Sequence, residues 1–233
     1  MTILDLIASR NYAEESEVRA MPMVMRIERV DPPGRTALLE AAAASAVAVC
    51  LDPRADEGGE WHEAVRAWVA GRIRKVSRRA RGVQWEAVQE LPGVTVTVDG
   101  ASVRSLLPVL VTETPREVAK LQISGSDLPL DTPGAVPEGA HVLLVNPRVE
   151  MSAGKLAAQV GHASMLLAPH LSADELKAWA AMDYRCAVRT PSVAEWDALI
   201  HRGDVVAVRD AGFTEVEPGT TTVLAPLGRP TQD

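Results

Sequence analysis

Residues 205–224, VVAVRDAGFTEVEPGTTTVL, decide the fold of the second half of this 233-residue chain. Val206 and Val208 alternate along the stretch, which predicts a strand with one buried face. Asp210 stands at the end of that strand. The turn residues Pro218 and Gly219 and the β-branched run that follows predict a returning strand, and so a hairpin. Taken alone, this pattern is more typical of an aspartate that caps its own turn than of a functional site.

A second informative stretch, MSAGKLAAQVGHA at residues 151–163, predicts a helix. Lys155, Gln159 and His162 lie on one face of it, because they are separated by four and then three positions. Ser152 is placed to cap the helix, which leaves backbone N–H groups and the positive end of the helix dipole beside the lysine. Such an end favours an anion, whether a phosphate, an oxyanion or a carboxylate.

Together the two stretches resemble the type-II peptidyl-tRNA hydrolases, the archaeal and eukaryotic type. The hairpin pattern of that family, DAG-x-T-x-h-x-P-G-(S/T)-x-T-V, is similar to residues 210–223, and its helix pattern, G-K-h-A-A-Q-x-x-H-A, to residues 154–163. The resemblance covers residues 141–233. It implies an α/β fold and cleavage of the ester that joins a peptide to the 3′ ribose of tRNA, so the expected partner is peptidyl-tRNA.

The same resemblance implies a catalytic group of Lys155, Asp210 and Thr214. The aspartate would orient or deprotonate water, the lysine would stabilise the developing oxyanion, and the threonine would position water or substrate. Supporting roles fall to Gln159, His162, Gly212 and Thr222. Without the family motif, a packed helix histidine and a surface lysine are the competing interpretations for His162 and Lys155.

Other site chemistries have no motif in this sequence. The five histidines form no H-E-x-x-H pattern, and the chain has no G-x-S-x-G, Walker or G-x-G-x-x-G sequence. We therefore expect no metal and no cofactor. Cys50 and Cys186 lie far apart and are predicted to be buried free thiols of a reducing compartment.

Composition and charge narrow the class of protein further. A hydrophobic content of 47% is enough for packed cores, and the net charge of −7 argues against a broad electrostatic grip on nucleic acid. The first residues lack the basic start of a signal peptide. Residues 37–51 are apolar but short and contain Glu40, which predicts a core helix and not a membrane span. We expect a cytoplasmic protein.

The loop before the helix departs from the family. Relatives read close to D-L-K-M-G-K-G-K, whereas residues 148–155 read RVEMSAGK, so that two lysines are replaced by Glu150 and Ala153. This change weakens the expected contacts with tRNA phosphates. A basic cluster in the first half offers a replacement, with Arg74, Lys75, Arg78, Arg79 and Arg81 as candidate nucleic-acid-binding residues. A solvated basic face without RNA is the alternative.

An internal repeat relates the two halves. Trp68, Trp85 and Asp99 precede Trp179, Trp196 and Asp210 by one constant offset (179 − 68 = 111). We interpret residues 22–123 as a diverged copy of the hydrolase domain, with coincidence between two α/β units as the alternative. The copy lacks the chemistry, because Asp99 is followed by Gly-Ala and Val103 stands where Thr214 would be. Because domains of this family commonly pair, the copy would form a pseudo-dimer within one chain; a homodimer of whole chains stays open.

The predicted organisation is therefore an α/β tandem repeat of two small three-layer domains, each a mixed four-stranded sheet flanked by helices. The predicted boundaries are an N-terminal lead, a degenerate domain, a Pro/Gly linker and a hydrolase-like domain, at residues 1–21, 22–123, 124–140 and 141–233. Within the first domain, residues 24–30 alternate apolar and charged side chains and predict a strand with one wet face, whereas the basic run 74–81 is left without a strand or helix.

Two further functions compete with peptidyl-tRNA hydrolysis. One is a catalytically weak tRNA-binding or translation-associated module that retains the fold. The loss of two lysines from the loop at residues 148–155 and the negative net charge of the chain favour it. The other is hydrolysis of a different ester or amide.

Overall fold

The computed structural model describes residues 1–9, 17–210 and 215–228. The first half has the elements α1 Ile3–Ser9, β1 Arg19–Arg26, α2 Arg35–Leu51, α3 His62–Val69, β2 Arg74–Ala80, α4 Val83–Gln89, β3 Gly93–Val98, β4 Ala101–Leu106, β5 Val109–Leu110 and α5 Arg116–Ala119. The second half has β6 His141–Val145, α6 Ala153–Leu167, α7 Ala173–Ala180, β7 Cys186–Arg189, α8 Val193–Ile200, β8 Val205–Arg209 and β9 Thr221–Pro226. Helices and mixed sheets confirm the α/β class.

Each half contains one mixed sheet, and the two sheets have the same strand order. The first runs β2-β1-β4-β3 and the second β7-β6-β9-β8. The prediction of four strands is wrong for the first sheet, because the short β5 also pairs with β1 and makes it five-stranded. In both, the central first strand pairs in parallel with the second strand and antiparallel with the last. The third and fourth strands form an antiparallel hairpin in each half.

The first strand differs from its prediction. It spans Arg19–Arg26 and is buried at most positions, instead of exposing one face over residues 24–30. The reason is that β1 is covered on both sides. Met23 and Met25 belong to the main core with α2, while Val24 packs with Trp85 and other residues beneath α4 and α5.

The basic run at residues 74–81, for which the sequence predicts neither a strand nor a helix, forms strand β2 over Arg74–Ala80. Its side chains are mostly polar, but every residue of Arg74–Ala80 is paired in register with β1. Pairing with a buried neighbour therefore decides its conformation, because strand propensity depends strongly on such tertiary context.

The two hairpins end in different connections. Asp99 and Gly100 form the tight turn between β3 and β4, with φ of 45° and 83°, the left-handed conformation that such a two-residue turn requires. In contrast, residues 210–220 join β8 to β9. This longer connection is tied at its base, where the Asp210 amide donates to the Thr220 carbonyl at 2.9 Å.

The two halves share one apolar core, centred on the packing of α2 against α6. Helix α2 is apolar around its circumference because it lies between the first sheet and α6. Gly161 permits this contact, since a Cβ at that position would lie 3.1 Å from the Cβ of Ala46. The Ser164 hydroxyl donates to the Ala43 carbonyl at 2.7 Å across the same interface.

A buried carboxylate adds a polar connection between the halves. Glu40 of α2 is 4% exposed. It accepts hydrogen bonds from the Val188 amide at 3.1 Å and from Arg189 at 2.9 Å, and it pairs with Arg185 at 3.5 Å. The prediction of a core helix at residues 37–51 is confirmed, and this helix carries its one acidic residue toward the other half.

One detail recurs at equivalent positions of the two halves. The indole N–H of Trp68 donates to the Arg74 carbonyl at 3.0 Å, and that of Trp179 donates to the Arg185 carbonyl at 2.8 Å. Each bond joins a helix, α3 or α7, to the start of the strand that follows it.

Residues 120–140, between α5 and β6, form no regular helix or strand. This segment nevertheless contacts both halves. The Ser126 hydroxyl accepts from the Gly154 amide at 3.0 Å, and Arg35 at the start of α2 donates to the Leu128 carbonyl at 3.1 Å. Arg35 also reaches the Met151 carbonyl at 2.7 Å, just before α6.

Both cysteines are buried and free, as predicted. Burial raises the pKa of Cys50 to about 12 and raises that of Cys186 still further, so both thiols stay protonated at neutral pH. Among the described residues, no helix combines the length and the apolarity needed to cross a bilayer.

Candidate active site

The helix and hairpin of the second half bring a lysine and an aspartate together. Lys155 lies in the first turn of α6, and Asp210 follows the last residue of β8. The Lys155 Nζ is 2.5 Å from the Asp210 Oδ2. Their side chains are 12% and 5% exposed, so the pair lies at the base of the site with the ammonium as its more accessible member. An ion pair with so little solvent is strengthened by the lower local dielectric.

Two further polar side chains fix the carboxylate. Gln159, one turn after Lys155, donates from Nε2 to the same Asp210 oxygen at 2.8 Å. Thr222 of β9 donates to the Gln159 Oε1 at 2.5 Å, which sets the orientation of the amide. Both Gln159 and Thr222 are buried. A continuous chain of bonds therefore runs from the return strand through the helix to the aspartate, and such networks restrict the side-chain geometry.

The start of α6 is held from two directions. The Ser152 hydroxyl caps the helix by accepting from the Lys155 amide at 3.2 Å, as the sequence predicts. The Glu215 carboxylate accepts from the Ser152 amide and hydroxyl, each at 2.7 Å. Ser126 accepts from the Gly154 amide, and a Cβ at Gly154 would lie 2.7 Å from the Ser126 hydroxyl. The glycine is therefore required for the close approach of residues 124–126.

His162 lies next to a lysine from the first half and does not contact Asp210 through any bond between described residues. Its Nδ1 is 3.1 Å from the Nζ of Lys75 on β2. Burial lowers the pKa of His162 well below its usual value, and the nearby ammonium groups of Lys75 and Lys155 add to this effect. Burial also lowers the pKa of Lys75 to about 7. The imidazole is therefore neutral at pH 7.

The candidate nucleic-acid-binding residues of β2 have different surroundings. Lys75 points to α6, and its ammonium also lies 5.0 Å from the ring centre of Trp68. Arg78 donates to the carbonyls of Ala119 and Leu121 at 3.3 and 2.9 Å. Arg79 and Arg81 line a cavity of about 190 Å³. Arg74 is partly buried beside the Trp68 bond.

Two predicted site residues, Gly212 and Thr214, lie outside the described residues. Sequence reasoning missed Glu215, whose carboxylate fixes Ser152 from a distant hairpin, and the part played by Ser126. Glu215 lies within the hairpin motif, but its partner Ser152 is 63 residues away, and no periodicity in the sequence connects the two. The described residues contain no group of three or more His, Cys, Asp or Glu side chains that is arranged to hold a metal ion.

Comparison with known proteins places this site in a family. A family model described as peptidyl-tRNA hydrolase PTH2 matches residues 140–231. A peptidyl-tRNA hydrolase of Haloquadratum walsbyi (strain DSM 16790 / HBSQ001) is 34% identical over 95 residues, which cover 36% of this chain and 81% of the relative. The chain belongs to the PTH2 family. No solved structure matches it significantly.

The PTH2 match contains the helix and the hairpin that bring Lys155 and Asp210 together, and it confirms the resemblance seen in the sequence. Membership places the chain among the hydrolases that act on peptidyl-tRNA. The first half, with the Lys75 and Glu40 contacts, lies outside the PTH2 match. Those contacts are therefore features of this chain in addition to the family domain.

Proposed function

We propose that this protein hydrolyses the ester bond of peptidyl-tRNA, releasing the peptide and free tRNA, at a site built on Asp210, Lys155 and Thr214. The observation that carries the proposal is the Lys155–Asp210 pair, held by Gln159 and Thr222 within the PTH2 domain. An ordered carboxylate and an ordered ammonium in one site supply the two elements that ester hydrolysis needs.

Asp210 acts on water. Its Oδ2 receives two donors, from Lys155 and Gln159, and these bonds fix the orientation of the carboxylate. The carboxylate orients the water and accepts a proton as its oxygen attacks the ester carbonyl. Gln159 and Thr222 act through Asp210 and are positioning residues.

Lys155 acts on the carbonyl oxygen. An ammonium has three donors, of which one is given to Asp210, and the remaining donors are directed at the oxyanion that forms during attack. The backbone N–H groups of the capped helix start add positive potential in the same region. The ester C–O bond then breaks, and the 3′ hydroxyl of the tRNA leaves with a proton. As the family resemblance implies, Thr214 positions water or substrate in this scheme, and Gly212 has a supporting role.

Release of labelled peptide from peptidyl-tRNA tests the proposal. Asp210→Asn keeps the shape of the side chain but removes the base, so we expect kcat to fall by about 10²–10⁴-fold. Asp204→Asn is the matched control, because Asp204 lies before the same hairpin in an exposed pair with Arg202. The control should retain wild-type release. Equal release by wild type and Asp210→Asn would contradict the proposed site.

A tRNA-binding module with weak catalysis is the second candidate, and the loop before α6 favours it. This loop carries Glu150 and Ala153 in place of the family's lysines, and its Arg148 pairs with Asp197 at 2.7 Å. The loop therefore offers little free positive charge to tRNA. Tight tRNA binding without peptide release by wild type would select this candidate.

We also infer that residues 22–123 are a diverged copy of the PTH2 domain, acting as a built-in partner for it. The shared strand order, the matching order of helices and the paired Trp68 and Trp179 bonds support the inference. Because α2 packs on α6 and shares one core with it, the first half covers one face of α6, and in this inference it takes the place of a second copy.

The solution mass tests the built-in partner. We expect one chain per particle in sedimentation velocity experiments. The face of α6 that α2 covers is not available to a second chain. As a matched comparison, Gly161→Leu removes the space for Ala46 and should reduce stability without changing the mass. A homodimer joined through α6 would contradict the inference.

A further inference from the structure

We infer that the first half carries a phosphate-binding cavity, formed by Arg79, Arg81 and Lys120, which holds the backbone of the tRNA 3′ strand while the ester lies at Lys155 and Asp210. The inference rests on the proposed function and assigns the substrate contacts that the PTH2 loop has lost. Of the nucleic-acid-binding residues predicted from the sequence, it retains Arg79 and Arg81, which line this cavity.

The cavity is small and positively charged. It has a volume of about 190 Å³, and its lining includes two arginines, one lysine and two glutamines, at Arg79, Arg81, Lys120, Gln84 and Gln122. Among the residues that the structure describes, no acidic side chain lines it. A phosphate group fits this space together with water, since a water molecule occupies about 30 Å³ in the liquid. Guanidinium and amide donors around such a volume suit a phosphate.

Arg79 is held in place before any ligand binds. Its Nε donates to the Ser124 carbonyl at 3.1 Å, and its Nη2 donates to the side-chain oxygen of Gln122. Within the described residues these bonds use two of the five N–H donors of a guanidinium, so three remain for a ligand. A cation with a fixed geometry loses less conformational entropy on binding.

The other two cations form no ion pair and no side-chain hydrogen bond with the described part of the chain. Arg81 interacts electrostatically with Glu28 without direct contact, and Lys120 is exposed. Glu28, the carboxylate that interacts with Arg81, lies outside the lining, where it accepts from the Gly82 amide at 3.4 Å and pairs with Arg26 at 3.0 Å. Its charge is therefore balanced by Arg26, and the cavity keeps its positive potential.

The cavity is connected to the catalytic helix by a short piece of chain. Gln122 lines the cavity, Arg79 binds Ser124, and Ser126 binds the Gly154 amide at the start of α6. The four steps from residue 122 to 126 span at most about 14 Å. Along one strand of a nucleic-acid helix, this distance corresponds to about four nucleotides. A 3′ strand whose last ribose lies at Lys155 therefore passes the cavity within its final nucleotides.

The other basic residues of β2 have structural partners that exclude them from this role. Lys75 faces His162 on α6, and the Arg78 guanidinium donates to carbonyls of α5 and the residues after it. Binding of phosphate by these side chains would require the loss of those contacts. The two cations without such partners, Arg81 and Lys120, are thus the ones to change in an experiment.

Fluorescence anisotropy of labelled, deacylated tRNA between about 50 and 200 mM salt tests the inference on the full chain. In the double variant Arg81→Gln with Lys120→Gln, we expect affinity to fall by about tenfold and the slope of log K against log salt to decrease by about two. The control is Arg66→Gln with Lys177→Gln, which removes the same charge from exposed positions in α3 and α7. It should behave as wild type.

Equal affinity and slope for the cavity variant and the control would overturn the inference. This would also be the result if the cavity bound only free inorganic phosphate. A thermal unfolding curve for each variant separates loss of binding from loss of fold. Arg81→Lys keeps the positive charge, so its slope of log K against log salt should equal that of the wild type. Because binding is measured without hydrolysis, failure of the proposed enzyme function would appear separately, as absent peptide release by wild type.

Discussion

The two halves of this chain have sheets of the same order, but their hairpins end differently. In the first half, Asp99 lies in a two-residue turn, its side chain is 74% exposed, and it pairs with Arg185. In the second half, Asp210 opens a connection over residues 210–220, is 5% exposed, and binds Lys155. The same strand order therefore supports a surface aspartate in one half and a buried ion pair in the other.

This difference shows which part of the fold carries the proposed chemistry. The sheets and the helix pair set the framework, while Asp210, directly after β8, reaches Lys155 at the start of α6. At the start of α2, Arg35 instead binds the carbonyls of Leu128 and Met151, and Asp99 pairs with Arg185. The helix start of the first half is therefore a structural contact.

The largest expected effect comes from changing the two helix starts separately. Lys155→Ala removes the donor to the developing oxyanion, so kcat for peptide release should fall by about 10²–10³-fold. Arg35→Ala removes two hydrogen bonds to carbonyls, and we expect a loss of about 1–3 kcal/mol in the free energy of unfolding. Steady-state kinetics and urea unfolding measure both. A similar loss of kcat at 25 °C in folded Arg35→Ala would show that the first half takes part in catalysis.

A smaller effect is expected at the buried contact between the halves. Glu40→Gln leaves Arg189 without its carboxylate and Arg185 with the exposed Asp99, and we expect the protein to lose about 2–4 kcal/mol of stability. Asp197→Asn, which breaks an exposed pair with Arg148, is the control and should leave the unfolding midpoint unchanged. Denaturant unfolding followed by tryptophan fluorescence measures the shift. An unchanged midpoint for Glu40→Gln would mean that the ion pairs of Glu40 contribute nothing to joining the halves.

The Lys75–His162 contact predicts a pH-dependent stability. Because the folded pKa of Lys75 is about 7, below its usual value, the unfolded chain binds more protons above pH 7. The contribution of Lys75 to stability therefore rises as pH increases from about 7 toward 10. Lys75→Met should remove this rise and add about 1–3 kcal/mol at pH 7, a range reduced for partial exposure of the lysine.

Urea unfolding at several pH values measures that change. Lys177→Met is the control, because Lys177 is exposed on α7. Parallel curves for wild type and Lys75→Met would show that the ammonium keeps its ordinary solvation next to His162.

The smallest effect concerns the repeated indole bonds. Trp68→Phe and Trp179→Phe each remove one hydrogen bond to a carbonyl and keep an aromatic ring, so each should cost about 1 kcal/mol plus a small packing loss. Thermal unfolding of the two variants provides the comparison. Similar losses would support the equivalence of the two positions, and a large effect in one half only would weaken the inferred duplication.

Much of the second half follows from local sequence patterns. The capped helix from residue 153, the hairpin strands and the meeting of Lys155 with Asp210 were expected from motif and periodicity. Glu215 and Ser126 were not, because their bonds join residues that are distant in the sequence and carry no shared pattern. The wet face expected for β1 was wrong, because packing on both faces depends on elements that one strand's sequence does not reveal.

Strand β2 follows from the inferred repeat, although it does not follow from local propensity. Its residues Arg74–Ala80 are poor strand formers, and local propensity did not predict them. The offset between the tryptophans, however, places Cys186–Arg189 of β7 opposite residues 75–78. Applied to this region, the repeat predicts a strand where the structure has one.

The bond between Ser126 and Gly154 has a consequence for engineering this chain. Because the connecting segment touches the first turn of α6, its two ends are not equivalent as places to add residues. A tag inserted after Gly134, where a Cβ would meet no atom within 4 Å, would disturb the bond from Arg189 to the Gly134 carbonyl and leave α6 untouched. The same tag inserted next to Ser126 would displace the backbone that supports Lys155 and would register as a kinetic defect.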